Sequence, residues 1–325
     1  MRAIASAMAR TPCAGSSPSR LSMPERPAAD RSPCADARPA LLSLRRHTTC
    51  GSSESARPTK GRILQVAPAP WRGHVASASP AAKPPPYPSS KETPMLTHTQ
   101  LLDFFSESAS TYRFLSQVFF KELNDQAIAE LAAAEYPDDT GNAHLDEGYR
   151  LVRRYFAFSA TDRRTQLACE YARIFLAAGV FTKERQTAVP YESVFTGDER
   201  IMMGDARDDV VARFLEDGFQ VNPDLHEPED HLAFELEYLV NMKERAGEWA
   251  QAKDKARLRR NVVRQLEFIE GHLLNWIPAL RDVAQEYAKL TFYPGMLLVA
   301  QGALEQGRDL LRDILEQLDG TNAAA

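Results

Sequence analysis

The sequence predicts an all-α protein: a single compact, bundle-like helical domain preceded by a disordered N-terminal extension. After Pro94, apolar residues recur at every third or fourth position, as on one face of a helix, and strand-like alternation is nowhere sustained. Fifteen of the 21 prolines lie in residues 1–94, and only six interrupt the 231 residues that follow. A segment of that length can bury one good hydrophobic core, so we expect a single domain. The helical pattern along it predicts eight or more helices.

The first 94 residues differ from the rest of the chain in charge as well as in composition. They hold 14 of the 39 basic and only 5 of the 44 acidic side chains, a net charge of +9, which leaves −14 for the remainder. A segment rich in Ala, Pro, Ser and Arg buries too little apolar surface to offset its conformational entropy. We therefore predict a disordered extension over 1–94, a helical domain over 95–319 and a disordered tail over 320–325.

Met95 is the expected native start, in which case the extension is not part of the native product. A targeting peptide is the alternative, because the extension is rich in Arg and Ser and poor in acidic residues. The apolar run 41–44 is too short for the core of a secretory signal, and Arg45 and Arg46 follow that run instead of preceding it.

The apolar pattern also predicts where the helices and the longer loops lie. Gly218 follows one apolar face directly and is expected to end that helix in the left-handed conformation. Long loops over 178–204 and 218–226 are of the kind that carries binding residues on a rigid frame. The predicted helical faces, in chain order, span residues 101–119, 151–156, 167–175, 210–215, 232–240, 258–276 and 294–318.

Cysteine content, hydropathy and charge narrow the possible environment and partners. Cys169 is the one cysteine after the extension, so neither a disulfide framework nor a cysteine-based metal site is expected, and a reducing compartment is favoured. No run approaches 18 apolar residues, which argues against a membrane span. The acidic body favours a basic partner over a nucleic acid.

The most informative segment is the polar run from His226 to His231, which precedes a long apolar stripe. Pro228 suits the first helical position, and Glu229 and Asp230 complement the positive end of the helix dipole, so helix initiation alone can account for these three residues. The flanking histidines need another explanation. A histidine in the first turn is expected to form a hydrogen bond rather than to carry charge.

Catalytic chemistry finds little support in the sequence, and we expect the protein not to be an enzyme. His231 and Glu235 lie one helical turn apart and could hold a metal, but no His-Glu-x-x-His or Glu-x-x-His motif occurs. Phosphate-binding glycine motifs and the Gly-x-Ser-x-Gly elbow are also missing from the sequence. A small metal- or nucleotide-dependent helical enzyme using His226 and His231 is kept as the alternative.

Aromatic residues lie at core spacing in two other places. Tyr171, Phe175 and Trp276 are expected to pack in the core, yet Tyr and Trp each carry a polar atom that favours the margin of a core or the lip of a groove. Pro278 is expected to break the helix just after Trp276, which would leave the indole at such a margin.

Four short motifs stand out in the helical segment: Tyr-x-x-Ile-Phe from Tyr171, Pro-Tyr-x-Ser from Pro190, Glu-Pro-x-Asp-His from Glu227 and His-Leu-x-x-Trp-x-Pro from His272. Taken together, these motifs resemble the TorD/DmsD/NarJ family of redox-enzyme maturation chaperones. The resemblance covers essentially residues 95–318. Ile174 stands where the family more often has leucine, a volume-conserving difference.

The resemblance implies a cytoplasmic, all-α, non-enzymatic protein without a resident cofactor. Such a chaperone binds the twin-arginine signal peptide, and sometimes the body, of a molybdopterin-containing oxidoreductase catalytic subunit. It supports cofactor insertion and prevents premature export. Contact with the molybdenum cofactor or GTP, the identity of the client, and monomer against homodimer stay open. By resemblance, Glu227, Asp230 and His231 line the peptide site, Tyr171, Phe175, Pro190, Tyr191 and Ser193 form or support its walls, and Trp276 belongs to the same site.

Physical chemistry agrees with such a partner. A twin-arginine signal is basic and then apolar, so its receptor should offer carboxylates beside an apolar groove. Guanidinium groups pair with carboxylates in a planar, bidentate geometry, and a body of net charge −14 speeds their encounter. Replacing Glu227 or Asp230 by alanine is expected to weaken peptide binding by about 1–3 kcal/mol.

Overall fold

The computed structural model describes residues 62–64, 96–158, 161–178 and 187–322, and helices dominate these ranges. The all-α prediction is confirmed. Two three-residue strands, β1 (Arg62–Leu64) and β2 (Phe219–Val221), and a 3-10 turn at Pro223–Leu225 accompany the helices. Ten α-helices lie in the described ranges: α1 (His98–Phe120), α2 (Asp125–Ala133), α3 (Ala143–Phe158), α4 (Arg163–Phe175), α5 (Glu192–Thr196), α6 (Asp205–Glu216), α7 (Leu232–Gln251), α8 (Lys255–His272), α9 (Ile277–Tyr287) and α10 (Phe292–Asn322).

Helix α7 is the most enclosed element of the described fold. Every residue from 230 to 243 is buried, so the first three turns of α7 are covered on all faces. Helices α1 and α8 both pack against it. The Ser116 hydroxyl of α1 donates a hydrogen bond to the carbonyl oxygen of Ala233 at 2.9 Å, next to the start of α7. The side chains at this helix start are therefore held by rigid surroundings.

Helices α3 and α10 form the second extensive contact, and two glycines permit it. A Cβ atom on Gly148 would lie 2.8 Å from the carbonyl oxygen of Gly295, and one on Gly295 would lie 3.0 Å from the carbonyl oxygen of Gly148. The two backbones approach too closely for any larger residue at either position. Helix α10 also packs against α8 and α9, which links this pair to the centre of the fold.

Three residues of the predicted extension do adopt regular structure. Strand β1 pairs with β2 in parallel, with Leu64 opposite Val221, and the N–H of Asn222 donates to the carbonyl oxygen of Leu64 at 3.1 Å. The Leu64 side chain is fully buried, which gives this short segment an apolar anchor. The other residues of the predicted extension, and residues 323–325 of the predicted tail, lie outside the described residues.

Helix ends differ from the predicted ones in two places. The stripe predicted over 258–276 is two helices, because α8 ends at His272 and α9 begins at Ile277 with Pro278 in its first turn. The last helix runs on to Asn322, so residues 320–322 of the predicted tail are helical. Gly218 has φ +73° just after α6, which confirms its predicted role as the residue that ends that helix.

Candidate functional site

The polar segment 226–231 precedes helix α7 instead of forming its first turn. His231 is the N-cap residue, with extended backbone angles, and its N–H donates to the carbonyl oxygen of Pro228 at 3.2 Å to close a turn. The predicted placement of Pro228, Glu229 and Asp230 in the first turn was therefore wrong. The physical reason is pairing with the preceding loop: the N–H of Leu232 donates to the carbonyl oxygen of Pro190 at 2.9 Å, which holds the chain extended up to the cap.

Asp230 is the residue that ties the two segments together. It is fully buried, and its Oδ2 accepts hydrogen bonds from the N–H of Ser193 at 2.9 Å and from the Ser193 hydroxyl at 2.5 Å. Its main-chain carbonyl accepts from the N–H of Glu192 at 3.0 Å. Burial raises the pKa of Asp230, and the Ser193 hydrogen bonds oppose that rise. Asp230 thus fixes the start of α5 against the segment that leads into α7.

His231 is buried beside Asp230 and caps helix α7. Its Nδ1 accepts a hydrogen bond from the N–H of Ala233 at 3.0 Å, which satisfies one of the unpaired donors of the first turn. Burial lowers the pKa of His231 to about 3, so the ring is neutral at physiological pH. The ring meets Tyr191 edge-on, with 5.0 Å between ring centroids. The prediction that this histidine forms a hydrogen bond rather than carrying charge is confirmed.

A second set of polar side chains lies one turn further along α7. Glu235 is wholly buried, and its Oε2 lies 3.3 Å from the indole Nε1 of Trp276, which also donates to the carbonyl oxygen of His272 at 2.7 Å. Burial, and then the nearby carboxylates Glu192 and Asp230, raise the pKa of Glu235 well above its ordinary value. Glu235 therefore binds its proton far more tightly than an ordinary glutamic acid.

Glu192 extends this set to the end of α8. It is buried, and its two carboxylate oxygens contact different partners: Nδ1 of His272 at 3.0 Å and the Nδ2 donor of Asn275 at 3.0 Å. Glu192 and Asn275 were not predicted as site residues, and Glu235 was considered only as a metal ligand paired with His231. The His-x-x-Asn spacing placed two polar groups near one another, but nothing in the sequence pointed to a partner 80 residues away.

Glu227 and Tyr191 form the exposed end of the site. Glu227 is exposed, Tyr191 is half-buried, and the Tyr191 hydroxyl donates to Oε2 of Glu227 at 2.6 Å. Burial, and then this hydrogen bond, raise the pKa of Tyr191. The next acid, Glu229, accepts a hydrogen bond from Nε of Arg207 on α6 at 2.7 Å. The carboxylate of Glu227 is thus held at the surface by a hydrogen bond from the Tyr191 hydroxyl.

The remaining predicted site residues support this arrangement from within. Tyr171 and Phe175 pack against each other in the core, and the Tyr171 hydroxyl donates to the carbonyl oxygen of Phe119 at 3.0 Å. Trp276 is fully buried and stacks on Phe195, which confirms the expectation that it packs in the core. The alternative position at a margin is not adopted, because the His272 carbonyl satisfies the indole N–H inside the core. Pro190 and Ser193 are buried as well.

The two histidines of the alternative enzyme interpretation have different environments. His226 is exposed and left-handed, with φ +53°, at the end of the 3-10 turn, whereas His231 is buried with Nδ1 engaged in the helix cap. In the part of the chain that the structure describes, no group of three or more His, Cys, Asp or Glu residues is placed to hold a metal ion.

A cleft that the sequence analysis did not identify lies between α5 and the start of α6. Its volume is about 210 Å³. The loop beside it carries three consecutive exposed apolar residues, Ile201, Met202 and Met203, which we call the apolar triplet. The residues that line this acidic cleft are Ser193, Thr196, Gly197, Asp198, Asp205 and Ala206.

Comparison with known proteins shows what this chain is similar to. Residues 142–282 match the family described as "Nitrate reductase delta subunit". The chain is 28% identical over 220 residues to "Chaperone protein TorD" of Vibrio cholerae serotype O1 (strain O395), an alignment covering 64% of this chain and 94% of that protein. Proteins of the same name from Vibrio vulnificus (strain CMCP6) and Psychrobacter sp. (strain PRwf-1) are 29% and 24% identical, covering 58% and 64% of this chain and 87% and 93% of theirs.

The family match spans every predicted site residue, from Tyr171 to Trp276. Among the described residues, no helix is both long enough and apolar enough to cross a bilayer. The helical fold and the pairing of the segment 226–231 with the loop at 190–193 accompany this similarity. The match to the family described as "Nitrate reductase delta subunit" and the similarity to several TorD proteins support the resemblance to the TorD/DmsD/NarJ chaperones.

Proposed function

We propose that this protein is a cytoplasmic maturation chaperone that binds the twin-arginine signal peptide of a molybdopterin-containing oxidoreductase catalytic subunit. It holds that subunit during cofactor insertion and prevents its premature export, and it performs no catalysis of its own. Similarity to relatives that are named chaperones supports this general role. The observation that carries peptide binding is Glu227, an exposed carboxylate that Tyr191 orients at the edge of an otherwise buried polar network.

The chemistry of that edge suits a basic peptide. A guanidinium group pairs strongly with a carboxylate held in a fixed position, because little side-chain entropy is then lost on binding. The Tyr191 hydroxyl engages one oxygen of Glu227 and leaves its negative charge in place. The net charge of −14 after Pro94 attracts a basic segment at long range, so association should slow as salt is added.

The buried predicted residues would act in this function by holding the exposed ones. Asp230 binds Ser193, and His231 caps α7 and packs against the Tyr191 ring. These contacts fix the position of Tyr191 and therefore of Glu227. Recognition groups supported by a packed, hydrogen-bonded frame keep their geometry when the partner arrives.

Calorimetric titration of the full chain with a synthetic signal peptide tests the proposal. The peptide carries the Arg-Arg signal of a molybdoenzyme catalytic subunit, and its matched control carries Lys-Lys in place of Arg-Arg. We expect micromolar or tighter binding to the first peptide and at least tenfold weaker binding to the second, because lysine offers no planar bidentate pairing. Failure of the chain to bind the Arg-Arg peptide would contradict the proposal. The stoichiometry from the same titration, read with the mass in solution, distinguishes a monomer from a homodimer.

A further inference from the structure

The acidic cleft has the size and lining of a site for a cationic side chain. Its volume of about 210 Å³ is several times the volume per water molecule in the liquid, about 30 Å³. Asp198 and Asp205, both exposed, lie on its wall, and the Ser193 hydroxyl is a third oxygen there. Within the described part of the chain, neither aspartate forms an ion pair.

A buried polar atom without a hydrogen-bond partner lies next to the cleft residue Ser193, and it also favours a cationic or hydrogen-bond-donating ligand. Asp230 binds the cleft residue Ser193 through Oδ2, while its Oδ1 is buried and has no hydrogen-bond partner. A buried carboxylate oxygen without a donor is unfavourable, and a cation or donor that reached Oδ1 would relieve that cost. This feature is independent of the two exposed aspartates.

The basic residues near the cleft do not cancel its charge. Arg207, on the first turn of α6, already contacts Glu229 at 2.7 Å and Asp208 at 3.1 Å, so two carboxylates oppose its one positive charge. Residues 198–209 together hold five acidic and two basic side chains, a net charge of −3. The cleft is therefore acidic in its wider surroundings as well as on its walls.

The apolar triplet adjoins this cleft. Ile201, Met202 and Met203 are 55%, 48% and 58% exposed, and the triplet supplies half of the six large hydrophobic side chains that are exposed in the described residues. Exposing three in a row is costly unless a partner covers them. Methionine side chains are flexible and polarisable, which lets such a surface accommodate apolar segments of different sequence.

We propose that the acidic cleft binds an arginine of the signal peptide and that the apolar triplet covers the apolar segment that follows it. This inference rests on the proposed function and names the specificity-determining surface within it. Asp198 and Asp205 supply the carboxylates for the guanidinium group, and Ser193, held by Asp230, adds a neutral oxygen. A ligand that is basic and then apolar matches a surface that is acidic and then apolar, and a purely basic or purely apolar peptide would satisfy only half of it.

The test titrates full-length variants with the Arg-Arg peptide and its Lys-Lys control. Asp198→Asn with Asp205→Asn removes both charges while keeping side-chain size. We expect about a 10- to 100-fold loss of affinity for the Arg-Arg peptide and loss of the preference for arginine over lysine. The matched control is Asp209→Asn with Asp224→Asn, two exposed aspartates outside the cleft, which should leave both the affinity and the preference unchanged.

A second pair of variants tests the apolar half. Met202→Ser with Met203→Ser should weaken binding of the Arg-Arg peptide about tenfold. The same double substitution should not further weaken the binding of a peptide whose apolar segment carries serines, because the change in the protein and the change in the peptide remove the same contact. Phe158→Ser with Leu215→Ser is the matched control, since both residues are exposed apolar side chains on other elements. Circular dichroism and urea unfolding establish that each variant is folded.

The possible outcomes separate the two proposals. If the wild-type chain prefers the Arg-Arg peptide and the Asp198/Asp205 variant keeps that preference, the cleft assignment is overturned and the proposed function stands. If the wild-type chain binds neither peptide, both are overturned. Loss of preference in the cleft variant alone, with the control variant behaving as wild type, supports the assignment.

Discussion

Two ends of one short segment, Glu227 and Asp230, have opposite environments. Glu227 is exposed and contacts Tyr191 through a single hydrogen bond, whereas Asp230 is fully buried and receives two from Ser193. His231 belongs with Asp230, because it is buried, neutral and engaged in a helix cap. The difference teaches that most of a recognisable motif can support the structure of a site while only a small part of it is exposed.

Because of this difference, we expect substitutions at neighbouring residues of the segment to have different effects on stability and binding. Changes at the buried end should alter stability first, and peptide binding only through the loop they hold. Changes at the exposed end should alter binding with little effect on stability, because surface substitutions rarely exceed ±0.5 kcal/mol. At pH 7 we expect the largest change in stability from Asp230→Ala and a smaller one from Lys243→Met, whereas His231 acts as the pH falls and Glu227→Ala affects peptide binding.

Asp230→Ala is expected to have the largest effect, a loss of about 3 kcal/mol in the free energy of unfolding. The substitution removes two hydrogen bonds to a buried carboxylate and leaves the Ser193 N–H and hydroxyl without their acceptor. Urea unfolding measures the change. Asp230→Asn is the control, since its amide oxygen can still accept from Ser193, and it should lose less than half as much. Equal stability of Asp230→Ala and the wild type would contradict the buried role.

His231 should make the protein sensitive to acid. Its folded-state pKa of about 3 lies below the unfolded value of 6.5, so between those values the unfolded chain binds a proton that the folded chain does not. Stability from this group is therefore present above pH 6.5 and is lost as the pH falls towards 3, by up to about 1.4 kcal/mol per pH unit. His231→Asn keeps a capping side chain without the titration.

The difference in stability between the wild type and His231→Asn, followed as a function of pH, isolates the contribution of His231. Glu235 acts in the opposite direction, because its raised pKa makes the folded state bind a proton more readily, but it is present in both proteins. Urea unfolding at several pH values should give a shallower loss below pH 6.5 for His231→Asn. Parallel curves for wild type and variant would show that His231 is not held neutral.

Lys243→Met should stabilise the protein by about 1–2 kcal/mol at pH 7. Lys243 lies on α7 and is fully buried; its Nζ has no hydrogen-bond partner, and burial lowers its pKa well below the ordinary value. The ammonium lies 4.1 Å from the centre of the Phe104 ring, an attraction of about 0.5–2 kcal/mol that is smaller than the several kcal/mol cost of burying a charge. Methionine fills a similar volume without that cost.

The pH dependence of stability tests whether burial of the Lys243 amino group causes this effect. The unfolded chain keeps its Lys243 proton up to about pH 10.5, so wild-type stability should rise towards that pH and the advantage of methionine should shrink. Peptide affinity should stay at the wild-type value, because this residue lies three turns into α7, away from the site. A destabilised Lys243→Met would mean that the contact with the rings outweighs desolvation.

The sequence was sufficient for the helical fold because apolar periodicity records which face of each helix is buried. The segment 226–231 and the loop at 190–193 could also be predicted from the sequence as candidate site segments, since clusters of polar residues stand out between apolar stripes. The ends of the helices were harder to predict from the sequence. The start of α7 depends on a pairing between Pro190 and Leu232, residues that are far apart in the chain.

The division between buried and exposed site residues could not be predicted for the same reason. Asp230 and Glu227 look alike in sequence, and only the position of Ser193 and Tyr191 in three dimensions distinguishes them. The fully buried Trp276 needed the His272 carbonyl as a partner, which follows from how α8 ends. The acidic cleft joins residues of two helices and one loop, and its walls become visible only when those elements are placed.

The exposed end of the segment offers the most direct test of the account. Wild type, Glu227→Ala and the control Asp224→Ala, an exposed aspartate just before it in the chain, are titrated with the Arg-Arg signal peptide and unfolded in urea. We predict that Glu227→Ala loses about 1–3 kcal/mol of binding free energy. Its stability should stay within about 0.5 kcal/mol of the wild type, and the control should match the wild type in both respects. Wild-type affinity in a folded Glu227→Ala variant would contradict the account.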